Sequence, residues 1–333
     1  MKAIQVVAHG SPGKFEMRDL PSPTPGPGEA VVRVNACGLN HLDLWMEEGA
    51  LPIPIDLPRT PGCEIAGVLE LVGKDVTGWK PGDRVAVQSN LFCGECEYCR
   101  QGQESMCLRN VMLGVQKDGG FAEKVLVPAR ALVRLPENVD FVTSAALTLA
   151  GSTAMHMLTN RAQLKSGDWV LVMGGASGVG SAAIQIAKHL GARVISTGST
   201  PAKRDLAIRL GAELALDTAD PRWIADIRKV TEKRGVDLVV EHVGGPILER
   251  ILGCLARGGT VVTCGATAGA KVNLDLWPLF VKQQQIIGSY GRDSRDLKAT
   301  LDWAASGNLK AVIDSQLPLE KTSEAFARLR SRQ

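Results

Sequence analysis

The sequence has no block of like charge, and its formal net charge is only +3 over 333 residues. That excludes the basic footprint of a nucleic-acid binder and the acidic tail of a charged interaction segment. It has no apolar run of the roughly 18 residues that a membrane span needs. Its first stretch, MKAIQVVAHGSPGKFEMRDL, lacks the long apolar core and small-residue cleavage site of an export signal. Internal repeats and low-complexity linkers are missing too, so repeat architectures drop out. These absences leave small-molecule chemistry in the cytoplasm, a reducing compartment where clustered cysteines are metal ligands more often than disulfides.

What is present is ample material for a core. Apolar residues make up 45% of the chain, and the length suits two domains. Up to about residue 150 the texture is rich in proline, glycine and valine, with short segments such as EAVVRVNACG, EIAGVLELVG, DRVAVQSN and FAEKVLVPA between turn signals such as PTPGPGE and KPGD. These are the strands of a β-rich domain. From Asp168 onward apolar strands alternate with helical segments: DWVLVMG, SAAIQIAKHLG, ARVISTG, PAKRDLAIRLG, then VDLVVEHVG, GGTVVTCGA and QIIGSYG. That alternation predicts an α/β domain, a parallel sheet with helices on both faces. DSRDLKATLDWAASGNLKAVID then predicts a helix, a stop at glycine and one more strand.

The stretch VLVMGGASGVGSAAIQIAKHLGA carries the cofactor signal. A strand runs into Gly174 and Gly175, the turn continues through Ser177, Gly178, Val179 and Gly180, and an amphipathic helix follows. A dinucleotide pyrophosphate needs backbone it can approach closely and a helix N-terminus with free N–H groups. Ser177 stands where the G-x-G-x-x-G pattern has its middle glycine, and taken alone such a run is also compatible with a plain strand-to-helix turn. Val243 and Gly265, which follow the later strands, are counted with the same cofactor site. About 20 residues after the glycines, NAD-selective sites carry Asp or Glu for the ribose 2′-OH. Here that position is Gly198, followed by Ser199, Thr200, Lys203 and Arg204. Hydroxyls and positive charge favour a 2′-phosphate, so NADPH is expected over NADH, with a solvated helix face as the alternative role of Lys203 and Arg204.

Cys93, Cys96, Cys99 and Cys107 form Cys-x2-Cys-x2-Cys-x7-Cys. One short loop can wrap four thiolates of that spacing around a tetrahedral ion, and four sulfur ligands leave no place for water or substrate. A structural zinc ion is expected in this lobe, residues 91–110, ahead of an iron centre or unliganded thiols.

The order of these features resembles the medium-chain dehydrogenase/reductase superfamily, with a zinc-containing alcohol dehydrogenase-like plan. The resemblance implies a GroES-like β-rich catalytic domain over residues 1–150 and 289–333, and a Rossmann domain, a doubly wound parallel sheet, over 151–288. The superfamily's alcohol dehydrogenases hold a second, catalytic zinc between their domains, and there this chain departs. The first ligand position is matched by Asn40, the second by Cys63 in Gly62-Cys63-Glu64, the third by Leu149, and the proton-relay histidine by Trp45. GLNHLDLW is similar instead to segments of the zinc-independent quinone and enone reductases. By that likeness Asn40 orients nicotinamide or substrate and Thr153 faces the nicotinamide ring. Cys63 is expected to line the catalytic site with His41, Asp43 and Glu64, while the likeness to the alcohol dehydrogenases implies instead that His41 lies near the cofactor phosphates. Trp45 and Thr153 are equally compatible with ordinary core positions, and His41 with a structural hydrogen bond.

Reduction of an activated C=C bond or a quinone needs only hydrogen-bond donors for the developing enolate, whereas alcohol–carbonyl interconversion asks for a Lewis acid. An NADPH-dependent reductase of activated alkenes or quinones without catalytic zinc is therefore expected. The alternatives are an alcohol dehydrogenase with an atypical metal site, drawing on Cys63, Glu64 and Cys37 or His41, and a non-catalytic NADPH-binding sensor. The apolar stretches 45–60 and 267–285 are expected to wall a pocket for a medium-sized hydrophobic substrate. The resemblance also implies a homodimer or homotetramer paired through QIIGSYG. The resemblance further implies a Gly-Lys-containing strand after SEAFARLRSRQ, which either is missing here or lies beyond the given sequence.

Overall fold

The computed structural model describes residues 1–332. They divide into two compact units, the first comprising Met1–Ala150, Arg292–Ala305 and the chain from Ala311 onward, the second Gly151–Gly291 and Ser306–Lys310.

The first unit is β-rich because its short apolar segments alternate and are punctuated by turns. The hairpin β1 (Lys2–Ala8) and β2 (Lys14–Asp19) is followed by β3 (Glu29–Gly38), helix α1 (His41–Glu48), β4 (Glu64–Val72), β5 (Arg84–Val87) and β6 (Asn90–Leu91). Next come the short helix α2 (Glu97–Arg100), then β7 (Val111–Met112), β8 (Lys124–Pro128), β9 (Leu132–Arg134) and α3 (Phe141–Thr148). Five strands form one antiparallel sheet in the order β8-β3-β4-β5-β9. Its inward residues, among them Val32, Ile65, Leu69, Val85, Val125 and Val127, make a continuous buried core. The pairing of β3 with β4 sets Gly38, at the end of β3, opposite Glu64, at the start of β4.

The second unit begins in α4 (Ala150–Met155) and continues through β10 (Trp169–Val172), α5 (Gly178–His189), β11 (Arg193–Thr197), α6 (Pro201–Leu210) and β12 (Leu214–Leu216). It then runs through α7 (Trp223–Val230), β13 (Val236–Glu241), α8 (Gly245–Ile251), β14 (Leu255–Thr263), α9 (Leu276–Val281) and β15 (Gln285–Gly288). The six strands are parallel in the order β12-β11-β10-β13-β14-β15. This is the Rossmann arrangement, whose strand order reverses beside β10. Central strands β10 and β13 are almost wholly buried, as a sheet covered on both faces requires. The chain then returns to the first unit through α10 (Ser294–Ala305) and α11 (Thr322–Ser331).

Three details differ from the sequence reading. The return to the first unit falls at Arg292 rather than residue 289, and residues 306–310 stay with the second unit. The Gln185 side chain holds them there, donating to the Lys310 carbonyl at 2.9 Å and accepting from its N–H at 3.0 Å. No strand forms in NLKAVID: after Gly307 the chain is irregular and mostly exposed, and its N–H and C=O groups join no ladder among the described residues. The apolar side chains of 272–281, expected to wall a pocket, stand on the surface, with Trp277 70% and Phe280 58% exposed. Among the described residues no single helix is long and apolar enough to cross a membrane.

Candidate active site and metal lobe

In the first unit Asn40 ends the loop after β3 and caps α1. Its backbone N–H donates to Asp43 Oδ2 at 2.8 Å, and its side-chain amide donates to Glu64 Oε2 at 2.9 Å. The other oxygen of Glu64 accepts from the backbone N–H groups of Leu149 and Ala150 at 2.7 and 2.8 Å. Glu64 is thus a buried bracket between the α1 cap and the turn from α3 into α4. Gly38 makes room for it, because a Cβ there would sit 2.2 Å from Glu64 Oε2. Asp43 is equally buried, and its Oδ1 accepts from the Gly62 N–H at 3.1 Å. Burial raises the Glu64 carboxyl above its ordinary range and pushes Asp43 up to about 7.

Cys63, 1% exposed, lies between these carboxylates in sequence space and in charge. Burial lifts its thiol, and that of Cys37, well above the usual value, with Asp43 adding to the effect. Both are therefore protonated thiols at neutral pH. Arg292 is a buried residue that sequence reasoning missed. Its guanidinium donates to Asn90 Oδ1 at 2.8 Å and Ser89 Oγ at 2.6 Å, and its charge opposes the rise at Glu64 and Cys63. Nothing in YGRDSRD distinguishes buried Arg292 from Arg295 three residues on, so the sequence carries no signal of such burial. His41 opens α1, with its ring edge-on to Trp45 at 5.0 Å. Leu149, the third position of the absent ligand set, contributes its backbone N–H to Glu64.

The four cysteines meet as their spacing predicts, with all sulfurs within 4.8 Å of one another. Cys93 and Cys99 are 3.8 Å apart and Cys96 and Cys99 3.5 Å, close to the ~3.8 Å edge of a tetrahedron with Zn–S bonds of ~2.3 Å. Backbone N–H groups of Glu95 and Cys96 point at Cys93 Sγ, and those of Cys93 and Arg109 at Cys107 Sγ. The Glu95 N–H foremost lowers Cys93 to about 6. The donor set fits one zinc ion. Within either unit taken by itself, no other set of three or more His, Cys, Asp or Glu ligand atoms converges among the described residues. The lobe is tied to α10, because Ser105 N–H donates to Asp293 at 2.9 Å and Glu104 accepts from the Ser294 N–H at 2.6 Å.

In the second unit the glycine turn has the shape a pyrophosphate needs. Gly174 has φ of +59°, a Cβ on Gly175 would lie 2.1 Å from Ser196 Oγ, and one on Gly180 would lie 2.2 Å from the Gly174 carbonyl. Ser177 has an ordinary backbone conformation and caps α5 by accepting from the Gly180 N–H at 3.0 Å. That explains why serine replaces the middle glycine. Gly178 and Val179 begin α5. After β11, Ser199 and Thr200 are exposed, and Thr200 caps α6 by accepting from the Lys203 N–H at 3.3 Å. Arg204 is committed elsewhere, to the Gly198 carbonyl at 2.8 Å and to Asp217 at 3.1 Å.

The loop after β13 was legible only in part. Val243 donates its N–H to the buried Glu241 carboxylate, which also accepts from Gly244 N–H and Thr263 Oγ1. Gly265 packs on the His242 carbonyl, where a Cβ would approach to 3.0 Å. Neither Glu241 nor His242 was singled out in the sequence, although a charged pair at the end of an apolar strand was a signal. Thr153 is buried on α4.

Comparison with known proteins points the same way. A family described as zinc-binding dehydrogenase matches residues 178–306, and one described as alcohol dehydrogenase GroES-like domain matches residues 26–137. An alcohol dehydrogenase of Geobacillus stearothermophilus is 33% identical over 332 residues, covering 99% of this chain and 96% of that protein. A quinone oxidoreductase of Homo sapiens is 30% identical over 332 residues, covering 98% and 92%. Among solved structures, an NAD-dependent alcohol dehydrogenase superposes with a TM-score of 0.96 at 38% identity, covering 100% of this chain and 97% of that one. A zinc-binding dehydrogenase from Sinorhizobium meliloti, bound to NADP, superposes with a TM-score of 0.83 at 29% identity, covering 94% and 90%.

Proposed function

The chain belongs to the zinc-type alcohol dehydrogenase-like medium-chain dehydrogenase/reductase superfamily, and from that premise we propose that it is an NADPH-dependent reductase of activated alkenes or quinones working without a catalytic metal. It is an oxidoreductase of that type, with relatives named for both alcohol and quinone reactions. Glu64 supports the metal-free reading most directly. Its two oxygens are spent on the Asn40 amide and on the Leu149 and Ala150 N–H groups, which ties the first matched ligand position into a hydrogen-bond bracket and supports a site held without metal.

When bound, the nicotinamide supplies hydride to the β-carbon of the substrate and leaves charge on a delocalised enolate. The chain's own residues then need to orient and stabilise. One Asn40 N–H is fixed on Glu64, and we assign the other to the nicotinamide carboxamide or the substrate oxygen. Thr153 helps fix the ring, and Cys63, as a neutral thiol, lines the site without acting as a nucleophile. Gly175, Ser177, Gly178, Val179 and Gly180 receive the pyrophosphate. Ser199, Thr200 and Lys203 meet the 2′-phosphate, which supports NADPH, and one zinc ion staples the cysteine lobe. Four thiols gathered as one ligand set suit a reducing compartment such as the cytoplasm. β15 is an open sheet edge beside exposed Leu276, Trp277, Phe280, Val281 and Ile286, which supports a homodimer, alone or paired into a tetramer.

NADPH oxidation assayed with a quinone, an enal and an aliphatic aldehyde, together with zinc stoichiometry, tests the proposal. Turnover of the quinone or enal with one zinc per chain is expected. Turnover of the aldehyde alone, with two zinc ions of which one is needed for activity, would sink it.

A further inference from the structure

His242 stands at the carboxyl end of β13, directly beside the glycine turn that follows β10. Its Nε2 lies 2.9 Å from the Met173 carbonyl oxygen and 3.2 Å from Ser177 Oγ. A carbonyl can only accept, so Nε2 must carry a proton, and Ser177 Oγ shares that proton as a second acceptor. The same oxygen already accepts from the Gly180 N–H at 3.0 Å. With both acceptor positions of Ser177 Oγ taken inside the protein, the capacity left to that hydroxyl is its own hydrogen, which can be donated to a ligand at the first turn of α5. The fit is close: a Cβ on Gly174 would come within 3.2 Å of His242 Cε1, and Gly265 borders the His242 backbone from the other side. The imidazole is therefore held between two glycine-lined loops rather than packed loosely on the surface.

We propose that His242 is a positioning residue that turns the Ser177 hydroxyl into a donor for a pyrophosphate oxygen of the bound dinucleotide. The proposal rests on the glycine turn being the dinucleotide site. Helix α5 offers backbone N–H groups and a favourable dipole at the same place, and a correctly turned hydroxyl adds a directional bond to a charged acceptor. His242 itself touches no phosphate in this scheme, since its bonding is directed at Met173 and Ser177.

The test uses the full chain and measures dissociation constants for NADPH, NADH and ADP-ribose by fluorescence and calorimetry. The variants are Ser177→Ala, His242→Met, His242→Gln and the double variant Ser177→Ala/His242→Met. Single loss of either partner should weaken all three ligands about tenfold, as expected for one charge-assisted bond. ADP-ribose carries the pyrophosphate without nicotinamide, so an equal loss there locates the effect at the phosphates. The double variant should bind no more weakly than Ser177→Ala alone, and His242→Gln, which keeps an N–H donor, should recover to within about threefold of the parent. A merely structural histidine would lower thermal stability without that non-additivity. Losses that multiply in the double variant, or unchanged binding by His242→Met, would overturn the proposal. Should His242→Met not fold, His242→Asn, too short to reach Ser177, replaces it in the same cycle. A parent protein that binds none of the three ligands would overturn both the dinucleotide reading and this proposal, an outcome distinct from normal parent binding with additive variants.

Discussion

The side-chain amide of Asn40 donates to the carboxylate of Glu64 across 2.9 Å, joining the cap of α1 to the first residue of β4. Asn40→Ala leaves a buried carboxylate short of a donor, which costs about 1–3 kcal/mol. Urea unfolding should register that loss. If Asn40 also faces the reacting groups, kcat falls by at least about tenfold while the NADPH dissociation constant stays within about twofold. A stability loss with unchanged kcat would reduce Asn40 to a structural bracket.

Removal of zinc should be felt beyond the cysteine lobe. Ser105 and Glu104, inside the lobe, hold Asp293 and Ser294 at the start of α10. Cys93→Ser, or strong chelation, should therefore lower the melting temperature and raise amide exchange in residues 292–300 as well as in 91–110. Exchange confined to the lobe would show that the latch is incidental. Assays on residual folded protein should retain the parent's substrate range, because four sulfur ligands leave no open coordination position.

The elements legible in advance were those whose signal is local. Alternating segments of β3, β4 and β8 and the β10–α5–β11 run each carry their periodicity in ten residues or so, and the four cysteines announce themselves by spacing. Glu64, Asn40 and Leu149 are each legible as site positions, but their bonding to one another is not, because Leu149 and Ala150 contribute backbone N–H groups that no side-chain motif encodes. Arg292 and His242 were invisible for the same reason: each acts through a partner far away in the chain, Asn90 in one case and Met173 in the other. The irregular course of NLKAVID marks the converse error, a strand-like pattern that found no neighbouring strand.

Five apolar side chains near the β15 edge are exposed, Phe280 by 58% and Trp277 by 70%. If a second copy covers them, light scattering should give twice the chain mass or a multiple of that. Phe280→Asp, placing a charge in the middle of the patch, should shift the protein to monomer at micromolar concentration with its secondary structure intact. A parent that is already monomeric would remove the assembly proposal.

Asp43 predicts a pH dependence of stability. Its carboxyl rises from the ordinary value to about 7 because burial penalises the charged form. The native state therefore holds a proton that the unfolded chain releases from about pH 4 upward, and stability falls as pH rises from there to about 7. Asp43→Asn removes this dependence. Over that interval the parent should lose stability relative to the variant by an amount on the order of a few kcal/mol. Parallel curves for parent and variant would mean that Asp43 titrates normally.

Coenzyme choice is predicted to depend on Arg204 in a way that its charge alone does not suggest. One nitrogen of its guanidinium binds both the Gly198 carbonyl, at 2.8 Å, and Asp217, at 3.1 Å. Arg204 thereby neutralises a carboxylate close to the end of β11, where NAD-selective proteins place an acidic group for the ribose. Arg204→Ala unmasks Asp217. NADPH should then bind more weakly through repulsion of its 2′-phosphate while NADH holds or gains, and the ratio of kcat/KM for the two should move toward NADH by about tenfold or more. Lys203→Ala makes the contrasting case, removing a second cation from the first turn of α6 while Arg204 stays on Asp217: NADPH should weaken and NADH should stay level. Equal effects of the two substitutions on both coenzymes would mean that neither residue reads the 2′-phosphate, and that the pair serves only to hold α6 against the sheet.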